Sequence, residues 1–200
     1  MGTIFTSASM SLDGYIAGPA ESGFEHLFAW YDNGDVEVPT AQPDRTFRMD
    51  GASARHFQDL LDRTGALVVG RRLFELTGGW GGTHPLGVPV VVCSHHPPPD
   101  WVVGGSVFTF VDTIERAVEV ARDLAGDRAV GVNGGTIARQ CVDAGLLDEV
   151  WIDLVPVLLG NGVPFFPTLA GTPVLLDGPT VIEGDGVTHL RYTVRGLTRS

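Results

Sequence analysis

Residues 130–166, VGVNGGTIARQCVDAGLLDEVWIDLVPVLLGNGVPFF, contain the pattern that decides the fold. They predict a buried strand, a glycine pair that opens a helix, a helix stop at Gly145, and a second buried strand closed by Pro156. The pair Gly134-Gly135 leaves the first backbone N–H groups of the helix without a side-chain partner. Those donors lie at the positive end of the helix dipole, so the segment predicts a phosphate site.

Composition limits the class of protein. Two hundred residues with 44% hydrophobic content predict one domain, residues 1–200, with a single sizeable core. No apolar run is long enough to cross a bilayer and the N-terminus lacks a signal-peptide pattern, so we expect a cytoplasmic protein without a membrane partner. The formal net charge of -11 argues against a nucleic-acid partner, because nucleic-acid affinity depends on clustered cations.

Residue usage excludes several kinds of chemistry. All 13 residues counted as Lys or Arg are arginines, which excludes Schiff-base catalysis and a Walker-type phosphate loop. Cys93 and Cys141 lie far apart on apolar segments, so we expect two buried thiols and no disulfide. His95 and His96 are adjacent and would point apart, and no other ligand spacing occurs, so no metal site is predicted.

The rest of the chain alternates apolar runs with segments of helical periodicity. The predicted strands are residues 4–10, 66–69, 88–93, 107–110, 129–132, 149–157, 174–176, 180–183 and 188–194. The predicted helices are residues 24–31, 50–61, 71–77, 113–124 and 136–144, and residues 32–49 are predicted as a long loop that could serve as a lid. This order predicts an α/β fold with three α-β-α layers and a mostly parallel sheet with antiparallel C-terminal strands.

Three predicted strands end in groups that are suited to phosphate. These groups are Gly70, Arg71 and Arg72 after one strand, Ser94 and His95 after the next, and Gly134, Gly135 and Thr136 after a third. Because ligands of α/β sheets bind beyond the carboxyl ends of the strands, the three groups together predict a ligand with several phosphates, such as a dinucleotide. The G-x-G-x-x-G and G-x-S-x-G motifs are both missing, which disfavours a standard NAD fold and a conventional serine hydrolase.

Five motifs carry a family resemblance that covers nearly the whole chain. In order they are SLDGYIA at 11–17, GRRLFE at 70–75, GG at 134–135, AGLLDE at 144–149 and PVLLG at 156–160. Together they resemble the dihydrofolate-reductase-like superfamily. Within it they are most similar to the C-terminal reductase domain of the bacterial riboflavin-biosynthesis deaminase/reductase.

The resemblance implies an NADPH-dependent reductase that forms a homodimer. Its substrate would be 5-amino-6-(5-phosphoribosylamino)uracil in riboflavin biosynthesis, or a pterin-like ring. The implied cofactor contacts are Gly70, Arg71 and Arg72 with phosphates, Ser94 and His95 with the adenosine ribose and its 2′-phosphate, Gly134, Gly135 and Thr136 with the pyrophosphate, and Ala8, Ile16 and Ala17 with the nicotinamide. Arginine and imidazole near the ribose favour NADPH over NADH.

The substrate side offers three candidates. Asp13 could act as the catalytic or substrate-binding carboxylate, although an Asp-Gly pair is also typical of a turn. Asp153 lies within a hydrophobic strand, and Trp30 could line a pocket for a flat heterocycle. Two alternatives stay open, namely a reductase of another small carbonyl or imine, and a nucleotide-binding sensor without turnover. Leu73 is compatible with the sensor, because many relatives have threonine there.

Overall fold

A computed structural model describes residues 2–102 and 107–196. Its strands are β1 (Ile4–Ser11), β2 (Tyr15–Ala17), β3 (Val36–Pro39), β4 (Thr46–Met49), β5 (Thr64–Gly70), β6 (Val90–Cys93), β7 (Phe108–Val111), β8 (Ala129–Asn133), β9 (Glu149–Val155), β10 (Val163–Pro164), β11 (Leu176–Gly184) and β12 (Val187–Val194). Its α-helices are α1 (Phe24–Leu27), α2 (Gly51–Arg63), α3 (Arg71–Leu76), α4 (Ile114–Ala125) and α5 (Thr136–Asp143). Short 3-10 helices occupy Pro19–Glu21, Ala29–Asp32 and Gly78–Gly82. Among the described residues, no helix has the length and apolar character needed to span a membrane.

Eight strands form one mixed sheet in the order β11-β12-β9-β1-β8-β5-β6-β7. The pairs from β9 to β7 are all parallel, and β12 pairs antiparallel with both β9 and β11. The predicted fold class is therefore confirmed. The central parallel strands β5, β6 and β8 are mostly buried, which accounts for their continuous apolar runs, whereas β7 at the edge has no buried residue.

Helices cover both faces of the sheet, so the fold has three layers. On one face Ile4 and Val130 pack with α4 and α5 in the largest apolar cluster. On the other face Phe5 and Trp151 pack beside α2, whose Phe57 belongs to a neighbouring cluster. The alternation of Ile4 and Phe5 along β1 thus places neighbouring side chains in different layers.

The predicted helix boundaries follow local capping chemistry. Asp50 begins α2 by accepting hydrogen bonds from the backbone N–H groups of Ala52 and Ser53, at 2.7 and 3.2 Å. The predicted stop at Gly145 is also found, with a φ of +63° just after α5. Both thiols are free; Cys141 is buried as predicted, whereas Cys93 is only half-buried, and burial raises the pKa of Cys141 to about 12.

Two local predictions are wrong. Residues 32–49 are not a structureless loop, because β3 and β4 form a hairpin in which Val36 pairs with Met49. Residues 174–176 are not a separate strand, because Leu176 begins the long strand β11, whose register shifts between Asp177 and Thr180. In addition, the predicted helix at 24–31 divides into α1 and the 3-10 helix Ala29–Asp32. The prediction of a single domain over residues 1–200 stays a prediction.

Candidate functional site

Two connections leave neighbouring strands in opposite directions. After β1 the chain crosses by way of α2 to β5, beyond β8, whereas after β8 it crosses by way of α5 to β9, on the far side of β1. In open α/β sheets such a topological switch point opens a crevice at the carboxyl ends of the two strands. The expected ligand crevice therefore lies where β1 and β8 end.

The structure brings three predicted residues together at this crevice. A Cβ atom added to Gly134 would lie 3.1 Å from the Ile16 side chain and 3.7 Å from the Cβ of Ala8. Ile16 belongs to β2, and the next residue, Ala17, pairs with Val163 of β10. The residues that the resemblance places around the nicotinamide are thus neighbours, and Ile16 covers Gly134.

The start of α5 has no capping side chain, as the sequence predicts. Gly135 occupies the N-cap position with a φ of +74°, and no side chain caps the helix. Asn133 joins the ends of two strands, because its Oδ1 accepts the Gly70 N–H at 3.0 Å and its Nδ2 donates to the Gly134 carbonyl at 2.8 Å. The Gly135 N–H is occupied, because it donates to the Phe165 carbonyl at 2.8 Å, so the N–H groups that remain for a phosphate begin at Thr136, which is exposed.

The two arginines after β5 are committed to protein partners. The Arg71 guanidinium donates to Glu75 at 2.7 Å and to the Pro97 carbonyl at 2.5 Å. Arg72 forms an ion pair with Glu21 of the loop after β2. These contacts use Nε of both arginines and Nη1 of Arg71, so a cofactor phosphate would meet the remaining guanidinium N–H groups or displace these partners.

The predicted ribose site is more acidic than the sequence suggested. Ser94 folds back on His96, accepting its N–H at 3.0 Å, and exposed His95 lines a cavity of about 390 Å³. The carboxylates that line this cavity are Asp112, Glu115 and Asp143. Burial raises the pKa of Cys93 in the same cavity, and the charges of Asp112 and Glu115 raise it further. The local potential is therefore negative, which opposes a 2′-phosphate.

Asp13 holds a turn together. Its Oδ1 accepts the Ser11 hydroxyl at 2.6 Å, and its two oxygens accept the backbone N–H groups of Leu159 and Gly160, at 3.1 and 2.6 Å. The Ser11 hydrogen bond and these backbone hydrogen bonds lower the pKa of Asp13. The carboxylate ties the turn after β1 to the loop after β9, in keeping with the turn interpretation of Asp13.

Asp153 is the centre of a buried polar network that sequence reasoning did not find. Its Oδ1 lies 2.7 Å from Nδ1 of His189 and 3.1 Å from Nε2 of His56. The Ser53 hydroxyl lies 2.9 Å from Nε2 of His189, and the two imidazoles stack with centroids 3.9 Å apart. Asp153, both histidines and Ser53 are all buried.

The contact of His56 with Arg191 fixes the position of the proton on the His56 ring. Arg191 lies 3.0 Å from Nδ1 of His56, and because a guanidinium only donates, the His56 proton lies on Nε2, facing Asp153. Burial lowers the pKa of His56, against the raising effect of Asp153, so this ring is neutral at pH 7. Burial alone would raise the pKa of Asp153, but the imidazoles of His189 and then His56 beside its carboxylate lower it below its ordinary value.

The same proton assignment bears on metal binding. His56, Asp153 and His189 bring three potential ligand atoms within 4.8 Å of one another. With Nδ1 of His56 facing Arg191, a metal at Nε2 would displace the proton there, as metal binding to an imidazole does. The three residues form a buried polar cluster around the Asp153 carboxylate.

Trp30, the predicted pocket residue, lies above this network. Its Nε1 donates to the Ser9 hydroxyl at 3.0 Å, and its ring stacks on Tyr31 with centroids 4.1 Å apart. The edge of the His189 ring also meets Trp30, at a centroid distance of 5.1 Å. The structure thus brings Trp30 and Asp153 to one place, between β1 and α2, and leaves Asp13 in the turn after β1.

The sequence contained one indirect signal for the network. His56 falls on the apolar face of α2 together with Phe57, and a histidine on such a face needs a buried partner. His189 and Asp153 are 36 residues apart and become neighbours only when β12 pairs with β9. No spacing motif can reveal that contact.

The fold is an α/β fold with a mixed sheet and a crevice at the carboxyl ends of β1 and β8, which is where ligands of such sheets bind. Residues 3–177 match the family model described as RibD C-terminal domain, and the chain therefore belongs to that family. This is a reductase-like family of riboflavin biosynthesis. A search of curated proteins found no match.

Solved structures show the same dihydrofolate-reductase-like fold. A putative riboflavin biosynthesis protein from Shewanella sp. PV-4 is 22% identical with a TM-score of 0.69, over 96% of this chain and 99% of that one. Dihydrofolate reductase from Enterococcus faecalis, complexed with NADP(H) and RAB-propyl, is 14% identical with a TM-score of 0.56, over 97% of each chain. RibD from Acinetobacter baumannii is 15% identical with a TM-score of 0.63, and this chain, matched over 98% of its length, spans 58% of that one.

Proposed function

We propose that this chain is a cytoplasmic, homodimeric reductase that uses NADPH to reduce a small nitrogen heterocycle. The first candidate substrate is 5-amino-6-(5-phosphoribosylamino)uracil, and a pterin-like ring is the second. One observation carries the proposal, namely that Ala8, Ile16 and Gly134 meet at the switch point beside the uncapped start of α5. Family membership adds independent support.

The groups assigned to the cofactor lie along one edge of the sheet. Adjacent strands are about 4.8 Å apart, so three strand spacings, from the β1/β8 crevice to the gap between β6 and β7, cover about 14 Å. That span is of the order of an extended dinucleotide. Gly134, Gly135 and Thr136 would hold the pyrophosphate, Gly70, Arg71 and Arg72 further phosphate oxygens, and Ser94 and His95 the adenosine ribose.

The chain would orient the acceptor ring and exclude water from the site of reaction. A bound nicotinamide supplies a hydride, and the protein has to align the acceptor ring and exclude water. Ile16 covers Gly134 from the crevice side and can perform the second task. Ser9, Trp30 and Asp153 lie on the α2 side of β1 and are the residues we assign to the substrate ring.

Fluorescence titration with NADPH tests the proposal. We expect the wild-type chain to show saturable binding and Gly134→Val to bind at least tenfold more weakly, because the added side chain enters the crevice next to Ile16. Gly171→Val is the matched control, since a Cβ at Gly171 meets no atom within 4 Å. Absence of wild-type binding at near-millimolar NADPH, or unchanged binding by Gly134→Val, would overturn the proposal.

Turnover distinguishes an enzyme from a sensor of the same fold. NADPH oxidation should depend on 5-amino-6-(5-phosphoribosylamino)uracil or on dihydrofolate. Binding of NADPH without oxidation by either substrate would favour the sensor or a different small carbonyl or imine. Sedimentation at micromolar concentration tests the homodimer, for which the exposed apolar residues Leu176 and Val181 of β11 offer a surface, and a monomeric profile would contradict it.

A further inference from the structure

One face of the sheet is covered by helices over only part of its width. On this face α4 and α5 pack against β5, β6 and β8 in the largest apolar cluster. The opposite face is covered as far as the edge of the sheet, because α2 packs against β11. Among the residues that the structure describes, no helix packs closely on the α4 side of β9, β12 and β11, which we call the outer face.

The side chains of β12 alternate between a buried and an open environment. His189 is completely buried on the α2 side, whereas the next residue, Leu190, lies on the outer face and is half-buried. The strand register extends this position into a row, because Leu190 pairs with Val181 of β11 and with Ile152 of β9. Val181 is 51% exposed. Three neighbouring strands therefore present an apolar row that the chain itself leaves partly open.

The row belongs to a wider apolar surface. None of the apolar clusters in the described part of the chain contains Val181, Leu190 or Leu154. Leu176, at the start of β11, adds a side chain that is 37% exposed. Within β9, β12 and β11, Glu183 is the one charged residue that the alternation of side chains places on the outer face. The outer face is therefore apolar and almost without charge.

The dimensions of the outer face suit the core of a protein interface. Three strands about 4.8 Å apart and the seven residues of β9 at about 3.3 Å each give about 14 Å by about 23 Å. A standard interface buries about 800 Å² on each partner and has an apolar centre with a polar rim. A flat area of about 330 Å² on this scale is the centre of such an interface.

The charge of the chain indicates which partner fits. With a formal net charge of -11, two copies repel each other over most of their surface. They can approach most closely where carboxylates are scarce, which is the outer face. An apolar patch is also self-complementary about a two-fold axis, because the same side chains meet from both copies. A second copy of this chain is therefore the partner that the outer face favours.

Pairing through the free edge of β11 is a poorer way to join two copies. Pro179 has no N–H group to donate to a neighbouring strand, and the register of β11 shifts between Asp177 and Thr180. Proline and irregular pairing are features by which edge strands avoid further pairing. The contact between two copies is therefore expected on the face of the sheet and not along its edge.

We propose that two copies of the chain pack outer face against outer face about a two-fold axis, and that this contact borders the nicotinamide crevice. Ile152 of the row pairs in turn with Ala8 of β1, which lies beside Gly134. The second copy therefore excludes water from the β9 side of Ala8. The inference rests on the homodimer and the cofactor crevice of the proposed function, and it adds the contact surface and its connection to the crevice.

Sedimentation equilibrium of three variants tests the surface. Val181→Glu should raise the dimer dissociation constant at least about tenfold, because each interface would bury two added carboxylates. Leu190→Ala should raise it as well, by removing apolar area without adding charge. Thr180→Glu is the matched control, since Thr180 is exposed on the same strand and faces the opposite side, and this variant should remain dimeric. The exposure of Val181 makes misfolding of its variant easy to exclude by circular dichroism.

Thiol labelling distinguishes a contact on the face from a contact along the edge. A maleimide should react with Leu154→Cys severalfold more slowly in the dimer than after Val181→Glu is added. Thr180→Cys should react at the same rate in both backgrounds, because it lies on the other side of the sheet. Mass spectrometry of the peptides separates these sites from Cys93 and Cys141. Equal labelling of Leu154→Cys in both backgrounds would overturn the face-to-face contact.

NADPH titration of the same variants tests the connection to the crevice. At a concentration where Val181→Glu is monomeric and Thr180→Glu is dimeric, the monomer should bind NADPH severalfold more weakly. Equal affinities would overturn the connection.

The outcomes separate this inference from the proposed function. A wild-type dimer that survives both Val181→Glu and Leu190→Ala overturns the inference alone. A monomeric wild type overturns the inference together with the homodimer, and leaves the cofactor assignment to the NADPH titration. A wild-type dimer that Val181→Glu dissociates but that binds no NADPH supports the surface and overturns the proposed cofactor.

Discussion

Replacement of Asp153 tests whether its carboxylate organises the buried network. Oδ1 accepts the N–H of His189 at 2.7 Å, whereas Nε2 of His56 lies 3.1 Å away outside hydrogen-bond geometry, and a hydrogen bond to a charged acceptor contributes about 1 kcal/mol more than one to a neutral acceptor. Asp153→Asn keeps a neutral acceptor for His189 and should lower the free energy of unfolding by about 1 kcal/mol. Asp153→Leu leaves the buried His189 N–H unpaired and should lower it by about 2 kcal/mol, because an unpaired buried donor costs about 1–3 kcal/mol.

The pH dependence of the same variants gives a sharper test. The pKa of Asp153 is lower in the folded chain than its ordinary value of 3.8, so its contribution to stability is fully present above pH 3.8 and is lost as pH falls through the folded pKa. The difference in unfolding free energy between wild type and Asp153→Asn should be constant from about pH 5 to pH 8. It should narrow below about pH 4.

Urea unfolding at each pH measures these differences. Asp127→Asn is the control, because Asp127 is exposed and accepts no side-chain hydrogen bond from the described residues, and its unfolding free energy should change by less than about 0.5 kcal/mol. Equal stability of wild type, Asp153→Asn and Asp153→Leu would refute the network. So would a difference that persists unchanged into acid.

Three further predictions concern other parts of the chain. Gly162→Ala should lower the unfolding free energy by more than about 2 kcal/mol, because the added Cβ would lie 1.9 Å from the Ala17 carbonyl oxygen. Urea unfolding measures this difference, and stability within about 0.5 kcal/mol of wild type would contradict the prediction. Burial and then Arg45 lower the pKa of His84 to about 4, so wild type should lose up to about 3 kcal/mol as pH falls from 6.5 to 4. His84→Gln should lose less over that range in a urea series, and an equal loss would refute the assignment. Removing two negative charges with Asp112→Asn and Glu115→Gln together should raise NADPH affinity severalfold in a low-salt fluorescence titration, and an unchanged Kd would show that no phosphate approaches this cavity.

The parts of the fold that sequence predicted are those governed by local patterns. The strand, helix and strand that span Gly134, Gly135 and Gly145 were found because apolar periodicity and glycine punctuation both act over a few residues. The hairpin of β3 and β4 was missed because its residues are mostly exposed and only Val38, Phe47 and Met49 are buried. Its pairing depends on an apolar cluster that contains Trp30, which no local pattern shows.

The candidate site likewise contains one part that could be predicted from the sequence and one part that could not. Ala8, Ile16 and Gly134 were assigned through a family resemblance, and their contact follows from the parallel pairing of β1 with β8. The network around Asp153 could not be predicted, because Ser53 and His189 are 136 residues apart and meet only in the folded sheet. The ion-pair partner of Arg72 could not be predicted from the sequence either, because its pairing with Glu21 depends on the path of the loop after β2.

The crystal structure of the chain with NADPH tests the central claim most directly. We predict the pyrophosphate at the first turn of α5, beside Gly135, and the nicotinamide over Ala8 and Gly134, in the place that the Ile16 side chain now covers. NADPH bound away from the start of α5 would contradict the account. Crystals that remain without cofactor at near-millimolar NADPH would contradict it as well.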